Sequence, residues 1–158
     1  MAVHVQQLRL FDNPREYDVR CLSSVSDRPL DPTAVLDELG DTPDAGAVVL
    51  FSGVVRNHDA GRAVHRLEYE GHPTADQVLE EVVCEVLGRH PEVRAAAAHH
   101  RVGPLAIGDT AMVVVTCAAH RQAAFAATAD VVEEVKARLP VWKRQVFTDG
   151  TEEWVNSA

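Results

Sequence analysis

The chain has 158 residues, 46% of them hydrophobic, and a formal net charge of −9. That length suits one domain able to bury roughly 70% of its unfolded surface, and the apolar share excludes wholesale disorder. The acidic balance argues against nucleic acid as the principal partner, because phosphate backbones need a basic surface, yet it permits a local basic pocket for a small anion.

No apolar run approaches the ~20 residues of a membrane-spanning helix. The opening stretch MAVHVQQLRLFDNPREYDVR does not read as a secretory signal. Cys21, Cys84 and Cys117 are widely spaced with no CxxC pair, as free thiols in a reducing cytoplasm would be. Residues 1–14 show no clear period and read as a flexible N-terminal extension; residues 15–158 read as one domain. Tyr17–Val25 fits a short strand. Asp31-Pro32 then places a capping residue before a proline at the first helical position, with Gly40 to close the helix.

Ala47–Phe51 is a β-branched apolar run, a buried strand continuing toward Val55, and Arg56–Gly61 is a polar loop. Val64–Glu70 alternates like a half-buried strand. Thr74-x-x-Gln77 spells a capping box for a helix that stops before Pro91. Val93–Val102 reads as a strand despite its alanine run. Gly103-Pro104 and Gly108-Asp109 mark turns, and Ala111–Cys117 is the strongest strand pattern. Gln122–Leu139 is the strongest helix, ended by Pro140. The tail carries Trp142 and Trp154, read as core or interface anchors, and a turn at Asp149-Gly150. Strands and helices mix without regular βαβ alternation, which predicts an α+β fold with a mainly antiparallel sheet and flanking helices.

The basic residues are 13 arginines and two lysines, Lys136 and Lys143. On the long helix, Phe125, Ala129, Val132 and Leu139 form a stripe with Lys136 near its centre. In the middle of that core-facing stripe the ammonium must either snorkel out or line a pocket for an anion. Pro140 fixes the exit from the helix, so Lys143 can return toward Lys136. Two close amines can hold an oxyanion or supply a nucleophile; alternatively they form a solvated cluster. Ala119-His120-Arg121 sits at a strand-to-helix corner suited to phosphate, and Arg56 follows a buried strand in a similar position. Glu68 and Glu70 share a strand face, as acid/base partners or as solvated charges. The histidines lack metal-ligand spacing, and no resident metal or cofactor is expected.

Phe51-Ser52-Gly53-Val54-Val55-Arg56-Asn57-His58, Leu67-Glu68-Tyr69-Glu70, His100-Arg101-Val102-Gly103 with Ile107-Gly108, Ala119-His120-Arg121 with Ala124-Phe125, and Lys136 through Lys143-Arg144 resemble, in order, the large-subunit family of molybdopterin synthase. Asp149-Gly150 with Trp154-Val155 extends the match, which runs from about residue 17 to the end. The stretch Gly71–Ala75 departs from the family, where a more aromatic, methionine-containing segment is common. The resemblance implies a hammerhead-like α+β fold and a homodimer of large subunits, each carrying a small ubiquitin-like subunit. That subunit's C-terminal thiocarboxylate would give sulfur to cyclic pyranopterin monophosphate, forming molybdopterin for molybdenum-cofactor biosynthesis. Residue by residue, it makes Lys136 and Lys143 catalytic, puts Arg56, His120 and Arg121 at anion- and pterin-binding positions, and puts Phe51 on the pocket wall. A module that only binds a ubiquitin-like tail, and a metal-dependent phosphate-ester hydrolase, are the competing readings.

Overall fold

The computed structural model describes residues 4–8 and 19–156. The strands are β1 (His4–Leu8), β2 (Val19–Ser26), β3 (Ala47–Val54), β4 (His58–Asp59), β5 (Arg62–Gly71), β6 (Val93–Arg101), β7 (Gly103–Ala106), β8 (Thr110–Ala118), β9 (Val141–Phe147) and β10 (Glu152–Asn156); the helices are α1 (Pro32–Leu39), α2 (Ala75–Gly88) and α3 (Arg121–Arg138). One sheet has the order β1-β2-β6-β8-β3, and a second has the order β10-β9-β5-β4 with β7 also on β5. Within the described residues β2–β6 is the one parallel pair. The fold is α+β, as predicted.

The central strands β6 and β8 of the first sheet are covered on both faces. Val114, Ala96 and Ala98 belong to the large core with α2 and α3, while Val113, Val115, Ala95 and Ala97 pack with Val35 and Leu39 of α1. Alternation along β6 and β8 therefore serves two cores at once, which is why β8 reads as a continuous apolar run. Val113, Val114 and Val115 are fully buried, each contributing about 1.5–3 kcal/mol. The alanines of β6 favour helix intrinsically; the sheet prevails because small side chains fit between two packed layers. Thr116, also fully buried, is satisfied by the Ala124 carbonyl at 3.0 Å and the Thr128 hydroxyl at 2.7 Å, tying α3 to β8.

Several expectations need correcting. His4–Leu8, placed in the flexible extension, pairs antiparallel with β2; residues 1–3 and 9–14 of that extension lie outside the described residues, as do Tyr17 and Asp18 of the predicted first strand. Gly103-Pro104 is a short strand on β5, not only a turn. The capping box does not form: Thr74 makes no side-chain cap bond, its hydroxyl meeting His72 Nδ1, while Gln77 donates to Glu81. The polar loop after β3 contains a tight hairpin, β4 to β5, turned by Ala60 (φ 47) and Gly61 (φ 78), the paired positive φ of a two-residue turn that matches strand twist. Trp142 and Trp154 are 37% and 53% exposed, outside the core.

Candidate functional site: a basic cleft at the end of the long helix

The last turn of α3 decides where the site lies. Leu139 precedes a proline, which pushes it into extended backbone (φ −65, ψ 121), and Pro140 cannot continue the helix. The chain therefore enters β9 at once, with Val141 already buried. Along β9 the side chains alternate. Lys143 and Gln145 sit opposite Tyr69 and Leu67 of β5, whereas Arg144 faces the other side, where Glu68 (3.2 Å) and Glu152 (2.8 Å) hold it. Register thus separates two adjacent cations, sending one inward and neutralising the other. Glu68 is committed to that ion pair.

Lys136 and Lys143 line one cleft of about 300 Å³ together with Phe51, Arg56, Tyr69 and His100. Four of the six residues singled out in the sequence are thereby brought together. The route differs from the expected one. The buried face of α3 is Ala124, Ala127, Thr128, Val131, Val132 and Val135, and Phe125 is 62% exposed. Apart from Val132 and Leu139, the predicted stripe is exposed, and Lys136 reaches the cleft from an exposed position rather than from inside the core. The cleft is open to solvent in the single chain. Alanine lies on nearly every side of this helix, so its apolar pattern does not select a face.

Three cationic side chains, Arg56, Lys136 and Lys143, share the cleft with one carboxylate, Asp59. Asp59 accepts from Gln145 Nε2 at 2.7 Å and from Arg56 Nη2 at 2.9 Å. The Gln145 hydrogen bond first, then Arg56, holds its carboxyl below the usual range, with the Lys143 charge adding to this. His100 is 1% exposed, edge-on to Tyr69 with ring centroids 5.0 Å apart, and burial lowers its pKa to about 4. It therefore stays neutral, and the cleft carries net positive charge within an acidic protein. Asp59, Tyr69, His100 and Gln145 were not singled out as site residues from the sequence. The alternation of Leu67/Tyr69 against Lys143/Gln145 was the signal available, but only once β5 and β9 are known to pair.

His120 and Arg121 do not line this cleft. They start α3, and the 15 residues to Lys136 span about 22 Å along the axis. His120 is exposed there, with Nδ1 2.7 Å from Glu92. A larger cavity, about 440 Å³, lies between β2, α1 and α2, but Asp31, Glu38, Asp76 and Glu80 on its wall outnumber Arg28 and His99. Volume alone would choose the wrong cavity for an anion. Among the described residues no group of three or more His, Cys, Asp or Glu side chains could hold a metal ion, and no helix is long and apolar enough to cross a membrane.

The sequence matches the MoaE protein family model over residues 25–138. A molybdopterin synthase catalytic subunit from Pyrococcus abyssi is 42% identical over 118 residues, covering 74% of this chain and 78% of the relative. The crystal structure of molybdopterin synthase from Staphylococcus aureus superposes with a TM-score of 0.75 at 30% identity, covering 83% and 94% of the two chains. A Helicobacter pylori complex of subunits 1 and 2 of molybdopterin-converting factor shares the fold, with a TM-score of 0.67 at 19% identity over 84% and 89%. By its matched core, its relatives and its fold, the chain belongs to the MoaE family of molybdopterin synthase catalytic subunits.

Proposed function

We propose that the basic cleft is where sulfur passes from the C-terminal thiocarboxylate of a small ubiquitin-like subunit to cyclic pyranopterin monophosphate, making molybdopterin. The observation that carries this reading is the convergence of Lys136, Lys143 and Arg56 on one cleft. Both reactants are anions there: a thiocarboxylate tail and a pterin phosphate.

In this reading Lys136 donates to the tail's carbonyl oxygen and stabilises the oxyanion that forms as sulfur is transferred. Lys143, fixed by the β5–β9 register, balances charge or moves the proton. Arg56 holds an anionic group at the mouth, its guanidinium oriented by Asp59. Phe51 supplies apolar wall.

The 22 Å reach of α3 means that His120 and Arg121 can serve the cleft only from a second copy of the chain. A homodimer fits the edge strand β3, whose Val48, Leu50 and Val54 are 53%, 39% and 52% exposed. The three cysteines are free, which suits a reducing cytoplasm. The decisive test mixes the protein with a thiocarboxylated small subunit and the pterin precursor. Molybdopterin should form; tight binding of the small subunit without sulfur transfer would make this a capture module instead.

A further inference from the structure

Cys21 and Cys84 belong to no part of the cleft, yet the fold sets them side by side. α2 runs antiparallel along β2, and its placement is fixed at one end where Asp76 accepts a hydrogen bond from the Val25 backbone N–H. From Asp76 to Cys84 the helix rises about 12 Å. From Val25 to Cys21 the strand covers about 13 Å. Midway, Ser23 and Glu80 line the same cavity. The two elements thus stay level, which sets Cys21 and Cys84 beside each other on facing elements.

The two sulfurs are not equivalent. Cys21 is 4% exposed within the main core, whereas Cys84 is partly exposed. The neighbouring Cys84 thiol and burial raise the Cys21 pKa, while the Cys21 thiol lowers that of Cys84 against burial and the nearby Glu80 and Glu85 charges. A partly exposed sulfur facing a buried one is the arrangement of a peroxide-reactive thiol and its resolving partner.

We propose that Cys84 and Cys21 form a reversible oxidation site, in which peroxide converts the pair to a disulfide that staples α2 to β2. The Cys84 thiolate attacks one peroxide oxygen, the O–O bond breaks, hydroxide leaves, and Cys84 becomes a sulfenic acid. The Cys21 sulfur then attacks the Cys84 sulfur; the S–O bond breaks and the departing hydroxyl takes the Cys21 proton as water. Sulfur loses two electrons overall and the peroxide gains them. A thiol reductant reverses the change. The staple constrains the unfolded chain and so stabilises the fold, and it lies outside the walls of the basic cleft.

The test treats the folded, reduced protein with hydrogen peroxide and reads intact mass, peptide mapping and melting temperature. The expected product has lost two hydrogen atoms, carries a Cys21–Cys84 linked peptide, melts several degrees higher, and returns to its starting mass and Tm with dithiothreitol. Cys84→Ser should give no linked peptide, and Cys21→Ser should leave a sulfenic acid on Cys84 that dimedone traps. Peroxide that leaves Cys84 unmodified, or a bridge through Cys117, would overturn the proposal. The wild-type map alone decides this even if Cys21→Ser fails to fold.

Discussion

The two ends of α3 carry or adjoin the residues proposed for the site, and they are built in opposite ways. At the C-terminal end Leu139-Pro140 turns the chain straight into β9, so Lys136 and Lys143 share a cleft whose wall holds one carboxylate. At the N-terminal end His120 is exposed, faces Glu92, and Arg121 stands in solvent. One end is assembled within the chain by a proline and a strand register. The other is left open, as a surface that completes something else would be. Catalytic and binding roles should therefore separate along the helix, with rate lost at one end and affinity at the other.

Substitutions sharpen that contrast. Lys143→Ala should lower kcat by about 10²–10⁴-fold, the range for a lost proton-transfer or charge-balancing group, with little change in KM for the pterin; a KM-only effect would move Lys143 to the binding side.

Next in size is a pH effect on the cleft's wall. His100 has a native pKa of about 4 against 6.5 normally, so between those values the unfolded chain binds a proton that the native chain does not. Stability should be level above pH 6.5 and fall as pH drops toward 4, by about 3 kcal/mol from this residue; His99, also lowered mainly by burial, adds with the same sign. Urea unfolding across that window checks it, and His100→Phe should flatten the slope.

Arg121→Ala should raise the pterin KM about tenfold, the worth of one charge-assisted contact, and leave kcat near normal; an unchanged KM would remove that end of α3 from the site. The smallest effect is structural. Thr128→Val deletes the hydroxyl that bonds the Ala124 carbonyl at 2.8 Å while Thr116 keeps its own bond to that carbonyl. It should cost about 1 kcal/mol in unfolding free energy without altering turnover.

The same contrast explains what the sequence could tell. β8 stands out as an unbroken β-branched apolar run and α3 as a long helix-forming segment ended by Pro140, which marks the exit that brings the lysines together; Ala47–Phe51 reads as a buried strand, but β3 is an edge strand with Val48 and Leu50 exposed. Arg56 was legible from its place just after a strand, whereas Phe51 entered as a wall residue only through the family resemblance. The face of α3 was not legible, because Ala126, Ala129 and Ala137 give its exposed sides the same apolar look as its buried one. β7 was hidden under turn residues whose strand pairing depends on β5, some 35 residues earlier. Asp59 and Gln145 meet 86 positions apart, a contact that no local pattern records. The Thr74 cap was legible but wrong, since His72 competes for the same hydroxyl.

The most direct test of the central claim is a single-turnover assay in which the thiocarboxylated small subunit is bound to wild-type or Lys136→Ala protein before pterin is added. The variant should fold, bind the small subunit and retain the sulfur on its tail, with transfer slowed about 10²–10³-fold, as when an oxyanion donor is removed. Transfer at the wild-type rate would contradict the account, whatever the family of the chain.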